Sequence, residues 1–492
     1  MVGHCNRTFE SIAMKEQPEE ILSVSELEVV EEKPKGPEKK MMKPPPTPEQ
    51  RRAVAEAESK QNLLRRQMQL DEAMVKLPVD PDRIGERNRQ NQTLEGLRSG
   101  VKLKGERLGK ASANLTERQE VEGPEGKVLT LIAKPQKGET SLDREGYVTK
   151  WDSEIKAYKR ASSKPIETFR VIGSEEHLES MAKALAKQIG VPAEEYPSFK
   201  AAMQKERQGI RADIPVDGLP ARETAVSRLD MMLNFGIVPP TAMRAEMGEA
   251  AKPGATGSIE DLASVQQFVE ASDAKQPPRE AHFSEFKKLV DLPPDQWSEA
   301  LGVKSQSGEP QGSLTKMACL DWLAGTQDRH FENMLVDPAS GKFHAIDNGL
   351  SFGAARGAEM TDDVGKKSEQ FRMLRSIPLE LIQKNPSLAL DDETRAQLKK
   401  TYDGVIKGGP EKAAVEAMFK MLFEDKRIAK KQMQDFLSRM IHLSNNGRPP
   451  ELVTSKEWST KSGEKIYPVW DSMKEEYAKK EERARARQAA TA

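Results

Sequence analysis

The sequence has few of the residues that build large cores or extracellular scaffolds. Aromatic residues make up 5% of its 492 positions and hydrophobic residues 36%, whereas 32% are charged. A chain of this length can hold about two or three domains, but its composition predicts that part of it lies outside any core. Only two cysteines occur, Cys5 and Cys319, which excludes a disulfide framework and a cysteine zinc site and favours a reducing compartment.

Charge and hydropathy exclude two further classes. Lys plus Arg total 77 and Asp plus Glu 78, so the net charge of −1 gives no basic excess for a nucleic-acid partner. No apolar run reaches the roughly 18 residues of a transmembrane helix, and Met1–Arg7 lacks the apolar core of a signal peptide. We therefore expect a cytoplasmic protein, with peripheral membrane contact or delivery as a secreted effector as the alternatives.

Two short segments carry oxygen-donor side chains in a pattern typical of phosphotransfer. The first is Gly325-Thr-Gln-Asp-Arg-His-Phe-Glu-Asn333 and the second is Ile346-Asp-Asn-Gly349. Asp328 can orient an acceptor hydroxyl, and the amide of Asn333 with the carboxylate of Asp347 makes a donor pair that suits Mg²⁺. Between the segments, apolar runs flank an Asp-Pro-x-x-Gly turn, which predicts a hairpin that brings Asn333 and Asp347 side by side.

These motifs carry a resemblance. The string D-R-H-x-x-N followed by H-x-I-D-x-G resembles the catalytic and metal-binding loops of the phosphatidylinositol 3-/4-kinase-like superfamily. The fuller I-D-N-G-L-S-F is most similar to type II phosphatidylinositol 4-kinases, and more distantly to Fam20-type and HipA-type kinases. The resemblance implies a two-lobed α+β protein-kinase-like fold, with a β-containing N-lobe, an α-rich C-lobe, and ATP and Mg²⁺ as cofactors.

The same resemblance implies roles for the first segment. Asp328 would take the proton of the acceptor hydroxyl, His330 would act on the transferring phosphate, and Arg329 would brace the loop rather than contact substrate. Asn333 and Asp347 would hold the metal. Type II enzymes commonly have glycine at the position of His330, so this chain mixes features of two subfamilies.

A kinase also needs a lysine on a strand and a helix glutamate to pair with it. The β-prone run Gly126-Lys-Val-Leu-Thr-Leu-Ile-Ala-Lys134 ends in Lys134, and the Pro135-Gln-Lys-Gly-Glu139 that follows resembles the superfamily's K-P-x-x-G-E. Glu223 is the expected partner, because its apolar-periodic helix runs into Ile237-Val-Pro-Pro-Thr241, similar to the family's V-P-x-T. Glu154, on a shorter connection, is the alternative.

The adenine hinge falls on a segment that departs from the family pattern. Gly257-Ser258 precedes an acidic, helix-like Ile259-Glu-Asp-Leu-Ala263 and then Val265-Gln-Gln-Phe-Val-Glu270. The hinge would then lie near Phe268, Val269 and Glu270, with backbone groups contacting adenine. An ordinary edge strand remains the alternative.

Organisation along the chain follows from composition and periodicity. We expect disorder over 1–46, a helix and basic linker over 47–120, an N-lobe over 121–275 with a helical insertion at 151–218, a C-lobe over 276–446 and a charged tail over 447–492. The helix starting at Thr47 has sparse apolar residues among many charges, so a solvated or partner-bound helix is favoured. The basic residues Lys102 to Lys110 are expected in a solvated linker, with membrane or substrate docking as the alternative.

Three functional classes stay open on these residues. A lipid kinase acting on a phosphoinositide is favoured by I-D-N-G-L-S-F. A protein kinase of the HipA, actin-fragmin or Fam20 kind is favoured by the missing lipidated cysteine cluster of type II enzymes. A nucleotide-binding pseudokinase-like module is disfavoured, because Lys134, Asp328, Asn333 and Asp347 are all present.

Overall fold

The computed structural model describes residues 48–108, 116–123, 126–136, 218–247, 259–269, 278–303, 308–353 and 374–454, with short stretches between 139 and 209 and at 465–466. The chain divides into two units, Met1–Arg51 and Arg52–Ala492, and the elements that position the candidate site lie in the second. The disorder expected over 1–46 lies outside the described residues. The sequence pattern also predicts a mobile segment after Gly353 and a charged helix from Glu475 to Arg487, and both lie outside the described residues as well.

A five-stranded antiparallel sheet forms the first half of the second unit, in the order β1-β2-β3-β9-β8. Its central strands bury Leu131 and Ala133 of one strand and Ala263 and Val265 of its neighbour. The strands along the chain are β1 (Val101–Arg107), β2 (Glu117–Glu122), β3 (Val128–Pro135), β4 (Ser141–Leu142), β5 (Val148–Asp152), β6 (Ala157–Arg160), β7 (Gln208–Gly209), β8 (Thr241–Met247), β9 (Ile259–Gln267), β10 (Arg279–Glu280), β11 (Met334–Val336), β12 (Phe343–Ala345), β13 (Val453–Thr454) and β14 (Lys465–Ile466).

Helices dominate the second half. The helices along the chain are α1 (Pro48–Val75), α2 (Ile84–Ser99), α3 (Leu219–Leu233), α4 (Phe283–Asp291), α5 (Trp297–Ala300), α6 (Glu309–Ala324), α7 (Ile377–Lys384), α8 (Asp392–Lys407), α9 (Pro410–Leu422) and α10 (Lys426–Asn446), with single 3₁₀ turns at Pro81–Arg83, Pro294–Gln296 and Phe331–Asn333. The expected α+β fold class is confirmed, with a strand-rich first part that precedes an α-rich second part. Among the described residues, no helix combines the length and apolarity needed to cross a membrane.

The helix α3 is buried along almost its whole length. Pro220 stands in its first turn, where a missing N–H leaves no hydrogen bond unmade, and its C-cap Asn234 adopts the left-handed conformation with φ 55°. Asp230, 1% exposed, accepts the backbone N–H groups of Gly236, Ile237 and Val238 at 3.1, 3.0 and 3.2 Å. This carboxylate therefore fixes the turn that leads from α3 into β8.

We expect Asp230→Ala to destabilise the protein strongly. The substitution leaves three backbone donors without their acceptor, and each buried unsatisfied donor costs about 1–3 kcal/mol. Chemical denaturation should therefore show that the free energy of unfolding falls by about 3 kcal/mol or more. Asp230→Asn keeps one acceptor oxygen and should lose less; equal losses in the two variants would mean that the carboxylate oxygens do not hold this turn.

The helices α1 and α2 belong to the core, which corrects the expectation of a solvated or partner-bound first helix. Leu70 and Met74 of α1 and Leu97 of α2 are buried. Gln67 donates to the carbonyl of Met243 in β8 at 3.2 Å and accepts from the N–H of the same residue. Sequence reading failed here because the buried face of α1 is partly polar, so its apolar stripe is narrow.

The basic linker is also corrected. Residues 101–107 form β1, an edge strand whose seven residues are all exposed, and Lys102 and Lys104 pair with Glu117 and Glu120 of β2 at 3.0 and 2.9 Å. The sheet therefore begins at Val101 and not at residue 121. An edge strand that is exposed on both faces shows no apolar alternation, which is why the pattern suggested a linker.

Two further expectations change. Residues 259–267 form the single strand β9 and not a helix-like start, because β3 and β8 pair with it on both sides. At the ends of the expected helical insertion, β5, β6 and β7 join β4 in a four-stranded sheet; most of the insertion, including most of the helix expected from Glu175 to Ile189, lies outside the described residues.

In the C-lobe, the sequence pattern predicts helices around Asp392 to Ile406, Glu411 to Phe423 and Lys430 to Leu443, and α8, α9 and α10 lie at these places. The apolar run around Cys319 predicts a core cysteine. Cys319 in α6 is fully buried, and burial raises the pKa of its thiol. The packed chain continues past residue 446, because Leu452 is buried and Arg448 donates to the carbonyls of Pro386 and Ile382 at 2.6 and 2.7 Å.

Candidate active site

A lysine on the sheet and a glutamate on α3 form a buried ion pair. Lys134 stands near the end of β3, and its Nζ lies 2.9 Å from Glu223 Oε1, although the two residues are 89 positions apart. The hydroxyl of Ser264 in β9 donates to the other oxygen, Oε2, at 3.1 Å. Three elements thus fix one carboxylate; the rival Glu154 lies outside the described residues.

Asp347, in the loop after β12, is the third member of this charged cluster. It follows β12, adopts a left-handed backbone with φ 54°, and places Oδ1 3.1 Å from Lys134 Nζ. Burial opposes the charge on Lys134, but the carboxylates of Asp347 and Glu223 outweigh it and raise the pKa of the ammonium. Burial likewise opposes ionisation of Asp347, and the charge of Lys134 nevertheless lowers the pKa of this carboxyl. The lysine is held charged between two carboxylates.

The hairpin expected between Asn333 and Asp347 is present. The strands β11 and β12 pair with Met334 opposite Ala345 and Val336 opposite Phe343. Asp337 accepts the N–H of Ala339 and the hydroxyl of Ser340 at 3.0 and 2.9 Å, which closes the turn. The carbonyl of Asn333 accepts the N–H of Ile346 at 3.1 Å, so the two loops run side by side at the base of the hairpin.

Asp328 and His330 line the open side of this arrangement. Asp328 is 28% exposed and His330 23%, and His330 Nε2 lies 3.9 Å from Asp328 Oδ2. A cation approaches from the other side, since Arg375 Nη1 lies 3.9 Å from Asp328 Oδ1. Both side chains of the D-R-H triplet that were expected to meet substrate are therefore partly accessible.

Arg329 of the same triplet points inward and is fully buried. Its guanidinium donates to the carbonyls of Asn333, at 3.0 Å, and of Ile346. It also donates to the side chain of Asn348 and lies 3.3 Å from Asp321 Oδ1. Arg329 thus ties the loop that carries Asp328 to the loop that carries Asp347, and its side chain is not exposed to solvent.

Asp321, Ser376 and Asn348 form a support that sequence reasoning missed. Asp321 lies in the buried helix α6, and its Oδ2 accepts the hydroxyl of Ser376 at 2.7 Å. Burial raises the pKa of Asp321, and the charge of Arg329 opposes that rise. One signal was available: a carboxylate inside the apolar run Ala318-Cys-Leu-Asp-Trp-Leu323 must find a partner once it is buried.

Asn333 is oriented by the loop that precedes it. Its Nδ2 donates to the carbonyl of Asp328 at 2.7 Å, which assigns the amide nitrogen a partner and leaves the amide oxygen as the atom for a metal. Within the described residues, no cluster of three or more His, Cys, Asp or Glu side chains offers a metal site. A site of one carboxylate and one amide matches Mg²⁺, which takes few protein ligands when phosphates supply the rest.

The expected hinge residues stand where the sheet ends. Phe268 follows β9, and its N–H donates to the carbonyl of Thr130 at 3.0 Å, while the guanidinium of Arg118 lies 5.0 Å from its ring centroid. The N–H of Phe268 is therefore committed to the sheet, which leaves Val269 as the nearer candidate for a backbone contact with adenine. Glu270 lies outside the described residues.

Comparison with known protein families finds one that matches part of this chain. A family model described as phosphatidylinositol 3- and 4-kinase matches residues 259–395. This segment of the chain is therefore similar to that kinase family. The matched segment runs from β9 into α8 and contains Asp328, Asn333 and Asp347, so the enzyme is a phosphotransferase of the kinase class. Lys134 and Glu223 lie outside the match, and the fold brings them to it.

Two solved structures show some likeness to the chain. The Golgi casein kinase with Mn/ADP bound is 13% identical, with 73% of this chain and 75% of that chain covered and a TM-score of 0.35. A hydra Fam20 structure with sugar is 14% identical over 75% of this chain and 92% of that chain, with a TM-score of 0.34. No curated protein matches the chain. The fold assignment therefore rests on the strands and helices described above.

The ion pair predicts a matched mutational result. Glu223→Gln removes the charge that holds Lys134 and should lower the phosphotransfer rate by about tenfold to a hundredfold, because small misplacements of catalytic groups reach that size. Ser264→Ala removes only the hydroxyl that supports Oε2 and should have a smaller effect. Steady-state rates at saturating ATP measure both; a Glu223→Gln enzyme as fast as wild type, with Glu154→Gln slow, would move the partnership to Glu154.

Proposed function

We propose that the protein is an ATP- and Mg²⁺-dependent kinase that transfers the γ-phosphoryl group to a hydroxyl, with a phosphoinositide as the favoured acceptor. The observation that carries this is the convergence of Lys134, Glu223 and Asp347, with Nζ of the lysine 2.9 and 3.1 Å from the two carboxylates. A buried lysine flanked by a helix carboxylate and a loop carboxylate is the arrangement that kinases use to hold phosphates next to metal.

The donor atoms present fit the cofactors. Asp347 offers a carboxylate kept ionised by Lys134, and the amide nitrogen of Asn333 is already engaged, so one charged and one neutral oxygen are available for Mg²⁺. Mg²⁺ bound with ATP supplies charge neutralisation of the phosphates. Lys134 then binds the α- and β-phosphates, and Glu223 holds its ammonium in place.

The residues that act on the acceptor hydroxyl lie in the D-R-H loop. Asp328 orients the acceptor hydroxyl and takes its proton, since its carboxylate is partly exposed and lies beside His330. His330 stands 3.9 Å from that carboxylate, and its imidazole would act on the phosphoryl group in transfer. Arg329, buried behind both, keeps the proton acceptor and the metal-binding loop at a fixed separation. Catalysis by this site is mostly positioning and charge stabilisation.

The acceptor assignment rests on the family segment and on the I-D-N-G-L-S-F string within it. The deciding experiment incubates purified protein with labelled ATP and Mg²⁺, with and without phosphatidylinositol vesicles and with a generic protein substrate. Label in lipid supports the proposal. Label only in protein would move the acceptor to a protein hydroxyl, and ATP binding without any transfer would make the chain a pseudokinase-like module.

Vesicle binding gives a second readout of the acceptor. The exposed lysines of β1 are paired with glutamates of β2, so any attraction to anionic lipid is weak. We expect weak sedimentation with anionic vesicles that fades as salt is raised, because the Debye length is about 8 Å at physiological ionic strength. Sedimentation that persists in high salt would require an apolar anchor and would contradict this expectation.

A further inference from the structure

A cavity of about 410 Å³ lies between α1, α2 and α3. Its volume is within the range of small-molecule sites, about 300–1,000 Å³. The helices α1, α2 and α3 supply its walls. The lining residues are Asp71, Met74, Val75, Asn88, Asn91, Gln92, Leu94, Glu95, Arg98, Arg228 and Met231.

Arg228, which lines this cavity, has a buried hydrogen-bond donor without an acceptor among the described residues. It is fully buried, its Nε lies 2.6 Å from Asp71 Oδ1, and its Nη1 donates to the carbonyl of Thr241 at 2.7 Å. Its Nη2 is buried and finds no hydrogen-bond partner among the residues that the structure describes. A buried guanidinium donor without an acceptor destabilises the fold, and an oxygen atom of a bound ligand would supply that acceptor.

The charges around this atom favour an anion. Arg98 Nη1 lies 2.7 Å from the other oxygen of Asp71, so this largely buried carboxylate is shared by two arginines. Arg87 adds a third guanidinium on α2, where its Nη2 donates to the carbonyl of Met231 at 3.3 Å and its Nη1 has no partner within the described part of the chain. The acidic member of the lining outside this network, Glu95, is exposed.

We propose that this cavity binds a small molecule bearing a phosphate or carboxylate group, with Arg228 as the residue that recognises the oxyanion. The amide side chains of Asn88, Asn91 and Gln92 add further hydrogen-bonding groups, and Met74 and Met231 give an apolar wall. Charge-assisted hydrogen bonds of this kind are the strong ones in proteins.

Occupancy of the cavity bears on the catalytic ion pair. Arg228 follows Glu223 by five residues on α3, which places the two side chains about 140° apart around the helix axis. A ligand that ties Arg228 to α1 and α2 would therefore hold α3 from behind while Glu223 holds Lys134 in front. This regulatory consequence rests on the proposed kinase function, whereas the binding itself does not.

The binding is tested on the full-length protein with inorganic phosphate and with malonate as probes, in the presence of ADP to fill the candidate nucleotide site. Calorimetric titration and the rise of the thermal unfolding midpoint with probe concentration are both measured. We expect saturable binding of at least one probe. Arg228→Lys and Asn91→Leu should each weaken it by about tenfold, or ~1.4 kcal/mol, and Arg395→Lys on α8 should leave it unchanged.

Several outcomes overturn the proposal. The first is that neither probe binds the wild type saturably. The second is that the wild type and Asn91→Leu bind the probe with equal affinity. The third is that Arg395→Lys loses as much probe affinity as the cavity variants. Asn91→Leu keeps the test decisive if Arg228→Lys does not fold. In a kinase assay, the bound probe should raise the phosphotransfer rate. An unchanged rate would contradict only the proposed regulation of the ion pair. Binding of the probe without any kinase activity would contradict the proposed kinase function but not the proposed anion site.

Discussion

Asp347→Asn should abolish phosphotransfer while the protein stays folded. The substitution removes the charge that would bind Mg²⁺ and that lies 3.1 Å from Lys134 Nζ. Metal-based charge stabilisation contributes several kcal/mol, so we expect the rate to fall about a thousandfold or more at 1.36 kcal/mol per tenfold. Asparagine is the suitable replacement because it tolerates the left-handed backbone, φ 54°, at this position.

The control for this variant separates lost chemistry from lost structure. Thermal unfolding of Asp347→Asn should stay close to that of the wild type, because Asp347 is partly exposed and removing its charge opens no core cavity. Asp392→Asn, whose side chain is 98% exposed at the start of α8, should leave both activity and stability unchanged. Turnover near the wild-type rate in Asp347→Asn would remove Asp347 from the metal site.

The catalytic segment could be predicted from sequence because its chemistry is local. A hairpin of two short apolar runs around an Asp-Pro-x-x-Gly turn brings Asn333 next to the loop of Asp347, and each step in that argument uses neighbours in the chain. The helices α8, α9 and α10 were equally accessible, since each buries one face and ends at a recognisable residue, such as Gly408 after α8 or Gly447 after α10.

Long-range contacts explain what was missed. Glu223 reaches Lys134 across 89 positions, and only the family-like Ile237–Thr241 segment after its helix suggested that partnership. Asp71, Asp230 and Asp321 are buried carboxylates whose partners lie on other elements, at Arg228, at the turn after α3 and at Arg329. Composition counts such residues as surface charge, so the sequence-based reading placed too little of the chain in the core.

The N-terminal helices give the second large prediction, and it reverses an expectation drawn from the sequence. From composition, the residues before about Ser112 lack a pattern able to bury a core, which predicts that their removal would spare activity. The structure shows Leu70 and Leu97 with no exposed surface, and Asp71 of α1 bound to the buried Arg228 of α3. Deleting residues 1–108 would remove α2, which packs on β8, β9 and β3, and would leave Arg228 without its carboxylate.

We therefore expect the deletion of residues 1–108 to abolish soluble expression, and we expect Leu97→Ala to reproduce part of the effect in the intact chain. A buried leucine truncated to alanine costs about 2–5 kcal/mol, depending on how far the site can collapse. Urea denaturation of Leu97→Ala should show a loss within that range, whereas Leu103→Ala on the exposed strand β1, where the side chain is 52% exposed, should change stability by less than about 0.5 kcal/mol. A soluble deletion protein with wild-type nucleotide binding would show that the sheet and α3 fold without α1 and α2, and that the position of Glu223 is set by β3 and β9.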